Sequence, residues 1–270
     1  MSGMSGARVL AALSGAGFRR YATYRQATLA GTFTNTVFGF VRCYLLLSVA
    51  DVTGQIAGYA PGQLVTFVWV GQGLLAVVNY WGQQDLPDRV RSGEVVSDLL
   101  RPVDLMAQYM AGDVGRAGHA MLTRFVVPVV VGLLAFDFYV PANPWTYPLF
   151  TVSVLLAVLV CSACRYIVAL TAFWLLDARG VQMVWVVASG AASGLYFPLP
   201  ILPDWLVTVL WVATPFPALL QASLDVAVER GGLGHGGALV AGQAAWVLAM
   251  VGLARVVQRR ALRRLVIQGG

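Results

Sequence analysis

The chain has 270 residues, 59% of them hydrophobic and only 11% charged, with a formal net charge of +6. A water-soluble domain carries roughly 25% charged residues, so this composition excludes an ordinary soluble enzyme or binding domain and makes lipid the main solvent. All 18 basic residues are arginine, and they gather at the ends of apolar runs, where they meet phospholipid head groups; the positive charge therefore does not point to nucleic acid.

A bilayer core needs about 20 apolar residues of helix to cross it. Six such runs occur, at 28–50, 64–81, 121–140, 147–174, 181–197 and 238–257. They are continuous rather than alternating, which favours helices over a barrel. The expected fold is an all-α integral membrane protein, a single transmembrane domain of six transmembrane helices over 1–270. Fifteen of the 18 arginines fall before the first run, around the second-to-third connection, at Arg179, or after the last run, against Arg230 alone on the opposite side. This asymmetry places both termini in the cytoplasm of a multi-pass protein of the cell (inner, cytoplasmic) membrane.

Residues 7–26 mix apolar and aromatic side chains with Arg8, Arg19, Arg20 and Arg25 and are too interrupted to span; they read as an interfacial helix lying along the inner leaflet. Arg19-Arg20 has the form of a twin-arginine export signal, but the run that follows exceeds an h-region and five more come after it. The first span carries Thr28, Thr32, Asn35, Thr36, Gly39, Arg42 and Cys43 at helical intervals, a polar stripe that should avoid lipid. Arg42 has two readings: it faces protein or water inside the bundle, or it snorkels toward the outer surface near Asp51.

The largest hydrophilic stretch, 83–120, holds half of the acidic residues. Val95, Val96, Leu99 and Leu100 form one apolar face beside Glu94 and Asp98, Arg101-Pro102 breaks the helix, and Leu105, Met106, Tyr109 and Met110 resume it. Two short amphipathic helices on the cytoplasmic surface are expected, either presented to a partner groove or packed on the protein itself. His119 beside Arg116 reads as a solvated interfacial residue. The fourth run overshoots a bilayer; Arg165 marks the inner interface, and Cys161 and Cys164 within the run read as packing residues rather than a redox or zinc pair. Asp177 to Gly180 turns the chain into the fifth run.

That fifth run contains Ser189, Gly190, Ser193 and Gly194 in overlapping small-x-x-x-small patterns, suited to close packing within the chain or to a subunit or conduit face. Residues 198–230 are apolar yet broken by proline. The piece Asp204 to Thr214 is about 16 Å long as a helix, half a bilayer, so the segment reads as a re-entrant helical hairpin between spans five and six, dipping from the outside with Asp204 capping its first helix.

The order of these elements, with Tyr24-Arg25-Gln26-Ala27 before the first span and Arg91-Ser92-Gly93-Glu94 through Leu100-Arg101-Pro102-Val103 after the second, resembles the type-2 ABC transporter permeases over nearly the whole chain. The resemblance implies cytoplasmic coupling helices after the second span that dock into a cytosolic ABC ATPase, with Arg91, Glu94, Val95, Asp98, Leu99, Leu100, Arg101, Pro102 and Asp104 at the contact. It also implies two ATPase copies and a second related permease, as a heterodimer or else a homodimer. Thr32, Asn35, Thr36, Gly39, Arg42, Ser189, Gly190, Ser193 and Gly194 would line the path of an exported substrate or the subunit interface. The outer gate would be formed by Pro198, Pro200, Pro203, Trp205, Trp211 and Phe216.

The chain has no lysine, which excludes a Walker A loop, whose Lys reaches the terminal phosphates. No cofactor is expected in this chain; ATP and Mg would be bound by the partner ATPase. A secondary, ion-coupled transporter is the alternative function, but no internal repeat is evident and Asp137 sits near the outer end of the third run. No nucleophile, acid and base can be assembled into an enzyme site, since His119 and His235 fall on opposite sides of the membrane.

Overall fold

Backbone groups in lipid must be satisfied within their own segment, and the chain is accordingly all-helical, with no strand among the described residues. The structure is a computed structural model that describes residues 3–23, 25–82, 84–175 and 177–264; Tyr24, Gln83 and residues 265–270, which the expected segments include, lie outside these. α1 (Gly3–Ala22), α2 (Arg25–Thr53) and α3 (Pro61–Val78) are followed by two short helices, α4 (Leu86–Arg91) and α5 (Val95–Leu99). α6 (Leu105–Ala120) passes through a π-helical turn at Met121–Phe125 into α7 (Val126–Ala135), and α8 (Thr146–Leu170) ends in a 3-10 turn, Thr171–Phe173. The remainder is α9 (Arg179–Ala192), α10 (Asp204–Ala213), α11 (Gln221–Ala227) and α12 (Gly232–Leu262).

Five helical segments are long and apolar enough to cross a membrane: Thr28–Val52, Pro61–Val78, Leu105–Ala135, Thr146–Phe173 and Gly232–Leu262. The run at 181–197, expected as one more crossing, forms a helix of only 14 residues, about 21 Å long. It stops because Gly194 takes a φ of 82°, a left-handed geometry that ends helices.

The third long segment also departs from the expected 121–140. It is one rod from Leu105 to Ala135, so Leu105, Met106, Tyr109 and Met110 form its first turns rather than a separate surface helix. Asp104 caps it by accepting from the Ala107 amide at 3.0 Å, and no proline interrupts it before Pro128. Its polar residues are buried: Asp113, Arg116 and His119 are each 9% exposed or less. His119 meets the Phe18 ring edge-on at 5.3 Å, so it is a packing residue of the α1–α6 contact and not the solvated residue expected.

α3 is the centre of the bundle, buried continuously from Leu64 to Val78 and flanked by α2, α7, α8 and α11. Trp69, fully buried, packs against Phe40 and Phe136 at ring separations of 5.0 and 5.9 Å. Gly39 and Gly132 make room for its indole; a Cβ would come within 2.7 Å of it from Gly39 and 2.4 Å from Gly132. α1 crosses α6 equally closely, since a Cβ on Gly115 would lie 1.8 Å from the Ser14 carbonyl oxygen.

At one end of α3, Asp113 of α6 accepts from Ser162 at 2.7 Å and from Arg116 and Arg165 at 3.3 Å each. The two guanidiniums reach on to the last carbonyls of α3: Arg116 donates to Ala76 and Val77 at 2.7 and 2.9 Å, and Arg165 to Asn79 at 3.0 Å. Three helices are thus tied where orphan carbonyls and the negative pole of the α3 dipole favour a cation.

At the other end, Glu229 receives hydrogen bonds from Tyr139 and Thr146 at 2.6 Å each and from the amides of Ala142 and Asn143 at 3.2 and 3.0 Å. Burial opposes ionisation here, but these bonds outweigh it and bring the carboxyl down to about 2 from an ordinary 4.5. A depressed carboxylate stabilises the fold above its unfolded pKa, and the contribution is lost as pH falls through the folded one. The Glu229→Gln variant should therefore melt lower than the parent at pH 7, with the difference shrinking between about pH 4.5 and 2, as read in detergent melting curves.

Candidate functional site

The segment from Leu86 to Asp104 projects from the end of the bundle that carries the Asp113 cluster. Its anchoring follows from side-chain chemistry. Leu86 and Val95 are buried with Leu105, Met106, Tyr166 and Leu170, and Leu99 packs against the same group. Arg89 donates through Nε to Asp98 at 2.5 Å and lies 3.4 Å from Glu94, while Arg101 approaches Asp98 at 3.6 Å. The hydrogen bond to Asp98 raises the Arg89 pKa above its ordinary value. Asp98, 6% exposed, is the pin of α5.

The expected apolar face is therefore divided. Val95, Asp98 and Leu99 point inward, whereas Leu100 is 81% exposed and is followed by exposed Arg101 and Pro102. Arg91, Glu94 and Asp104 are exposed as well. The physical reason is where the helix ends: α5 covers Val95–Leu99 and Leu100 is its C-cap, so the last apolar side chain of the expected face lies beyond the helix.

The polar stripe of α2 turns toward α3. Thr32 and Asn35 are buried; Thr32 and Thr36 donate to carbonyls four residues back at 2.8 and 2.9 Å, and Asn35 donates to the Gln72 carbonyl at 3.2 Å. Arg42 donates to the carbonyl of Leu195 beyond α9. With the Gln72 amide turned so that its oxygen faces the guanidinium, that oxygen accepts from Arg42 at 2.9 Å. Of the two readings of Arg42, the structure shows the inward one, a tie between α2, α3 and the end of α9. Cys43, Cys161 and Cys164 are buried free thiols.

Ser189, Gly190, Ser193 and Gly194 come together on the inner side of α9, all buried. Gly190 lies under the Tyr80 and Tyr196 hydroxyls, at 3.4 and 3.1 Å from where its Cβ would be. Sequence reasoning passed over their partner, Gln221. Its amide N–H donates to the Ser193 carbonyl at 2.8 Å, its Oε1 accepts from the Leu199 amide at 2.9 Å, and its Nε2 donates to the Tyr59 hydroxyl and Asp225 at 2.9 Å each. Gln221, through its main-chain N–H and its buried side chain together, thereby holds the start of the proline-rich hairpin against α11. A lone Gln in an apolar stretch, four residues before Asp225, is the only signal the sequence offers. A Cβ on Gly194 would fall 2.3 Å from that Oε1, at a φ that side chains rarely adopt; Gly194→Ala should lower the melting temperature of the purified protein by several degrees, a cost of about 1–3 kcal/mol.

Within the hairpin, Pro198 is buried, Pro200 half-buried and Pro203 exposed. Asp204 is the first residue of α10 and makes no side-chain cap; the N-cap is Pro203, so the capping role expected of Asp204 is corrected. Trp205 is 68% exposed, Trp211 packs with Val226 and Leu239, and the Phe216 ring stands 5.8 Å from that of Trp185. These six residues do not converge on one point: Trp211 and Phe216 touch different helices.

Among the described residues no group of His, Cys, Asp or Glu could hold a metal. No curated protein matches the chain. The family model described as ABC-2 family transporter protein matches residues 33–269, nearly the whole length and all of the long apolar helices except the first turns of α2. The chain belongs to the ABC-2 transporter family and is a multi-pass membrane permease subunit of an ABC transporter.

Proposed function

We propose that this permease forms half of the translocation path of an exporter and is driven by a separately encoded cytosolic ATPase, two copies of which bind ATP and Mg and dock on the segment from Arg91 to Asp104. The single observation that carries the docking is the side chain of Leu100, 81% exposed on a loop whose base is pinned by the Arg89–Asp98–Arg101 ion pairs. An exposed apolar tip on a rigid base transmits a push from a partner groove instead of yielding to it. The base in turn rests on α8 through Tyr166 and Leu170, so displacement of α5 is passed to a spanning helix.

Six crossings with both termini cytoplasmic complete the proposal, α9 being a short fifth. In support, Trp185 donates to the Tyr80 carbonyl at 2.7 Å, just past one end of α3, while Ser193 and Gln221 connect to Tyr59, just before the other. α9 therefore lies alongside the central helix, joined to it directly near the Tyr80 end and through Gln221 toward the Tyr59 end. Phe216, beside Trp185, brings the proline-rich hairpin toward the Tyr80 end, as a re-entrant element would. A second related permease, different or identical, would supply the other half of the path.

The test is co-expression with the ATPase and purification through a tag on the permease. The expected result is a stable complex whose ATP hydrolysis supports transport from reconstituted vesicles. Ion-gradient-driven uptake by the purified permease alone would overturn the proposal.

A further inference from the structure

Two cavities at the Asp113 end of the bundle share a wall made of Gln84 and Arg165. The first, of 310 Å³, lies between α1, α5 and α6 and is bordered by ionic side chains that include Arg20, Arg89 and Arg101. The second, of 350 Å³, lies between α8 and α9 and is lined chiefly by apolar groups such as Trp81, Val168 and Met183. Around the pair, guanidinium groups outnumber carboxylates by five to three.

The dividing wall is polar and unsatisfied. Arg165 is 5% exposed, and its Nε has no hydrogen-bond partner; neither does either amide atom of Gln84. A buried donor or acceptor left unpaired is costly, and these three atoms belong to the two residues that border both the ionic chamber and the apolar one. Such a junction is complementary to a molecule with an anionic head and an apolar tail. Guanidinium forks match phosphate oxygens, the Gln84 Nε2 can donate to the same group, and its Oε1 calls for a hydroxyl beside the phosphate.

We propose that the paired cavities bind one phosphate-headed amphiphile bearing a head-group hydroxyl, with its head in the arginine chamber and its tail along α9. A phosphatidylglycerol-like lipid of the inner leaflet has this chemistry, given the orientation proposed above. The site adjoins the base of the proposed docking segment, but its test uses the permease without ATPase, so its failure and that of the docking proposal are distinguishable.

The test is native mass spectrometry of the full-length permease, without ATPase, after equilibration with equal amounts of phosphatidylglycerol and phosphatidylcholine, with inorganic phosphate in a parallel arm. The expected result is one retained phosphatidylglycerol per chain in preference to phosphatidylcholine. Gln84→Leu should weaken that retention about tenfold, as for a lost hydrogen bond to a charged group, and Gln84→Glu should abolish the preference by adding a like charge. Size-exclusion and melting profiles unchanged from the parent show that both variants fold. Equal retention of the two lipids, parental retention by folded Gln84→Leu, or binding of inorganic phosphate without any lipid preference would each overturn the assignment.

Discussion

Replacing Leu100 by Asp should strip the ATPase from the purified complex while leaving the permease folded. Leu100 makes no contribution to the core, being 81% exposed, so the charge is neutral for folding. At an interface centre, loss of an apolar anchor costs about 2 kcal/mol or more, at least about thirtyfold in affinity. The neighbouring Leu99 is no substitute, because it packs on the Leu86 and Val95 group and an Asp there would confuse docking with unfolding. Arg91→Gln serves as the contrast: its partner Asp88 is as exposed as itself, at 79% and 74%, and rim charges of this kind matter little. Pull-down with graded ATPase concentrations reads both; undiminished recovery with Leu100→Asp would show that docking lies elsewhere.

The largest stability effect is expected at Asp113. Removing it in Asp113→Ala leaves Arg116 and Arg165, each 5% or less exposed, facing one another without a counter-charge. Breaking a buried ion pair from one side costs about 3–5 kcal/mol, a large share of the about 5–15 kcal/mol that holds a typical fold together. Combining it with Arg165→Met should recover part of the loss, since one stranded cation goes with the anion, although the carbonyl of Asn79 then loses its donor. Thermal unfolding in detergent, followed by size exclusion, measures both; a single variant that melts like the parent would show that the cluster is not structural.

Element type and most spans were legible because lipid imposes one rule on every apolar run. Residues 64–78 illustrate how far that goes: a stretch apolar but for Thr66 and Gln72 reads as a span, and with no charged side chain it can be buried on all sides at the centre. The rule fails where polarity is internal. Asp113, Arg116 and His119 gave residues 105–120 the look of a surface loop, yet they are buried because their partners, Ser162, Arg165 and Phe18, lie on other helices that no local pattern connects to them. Likewise 181–197 has the length of a span, but the backbone turn at Gly194 is set by Gln221, a residue 27 positions later. In the segment proposed for docking, Leu99 and Leu100 are equal in sequence, yet Leu99 packs on the Leu86 and Val95 group and Leu100 is exposed.

The tie between α3 and its neighbours has a consequence for biosynthesis. The last carbonyls of α3 are paired with guanidiniums carried on α6 and α8, at positions 116 and 165, so the ribosome must make nearly 90 further residues after Val78 before both donors exist. Until then the central helix has an unfinished end in an environment where unpaired carbonyls are penalised. The order of translation thus sets an order of assembly: α3 can be inserted early, but it can be locked in place only after the fourth long helix arrives.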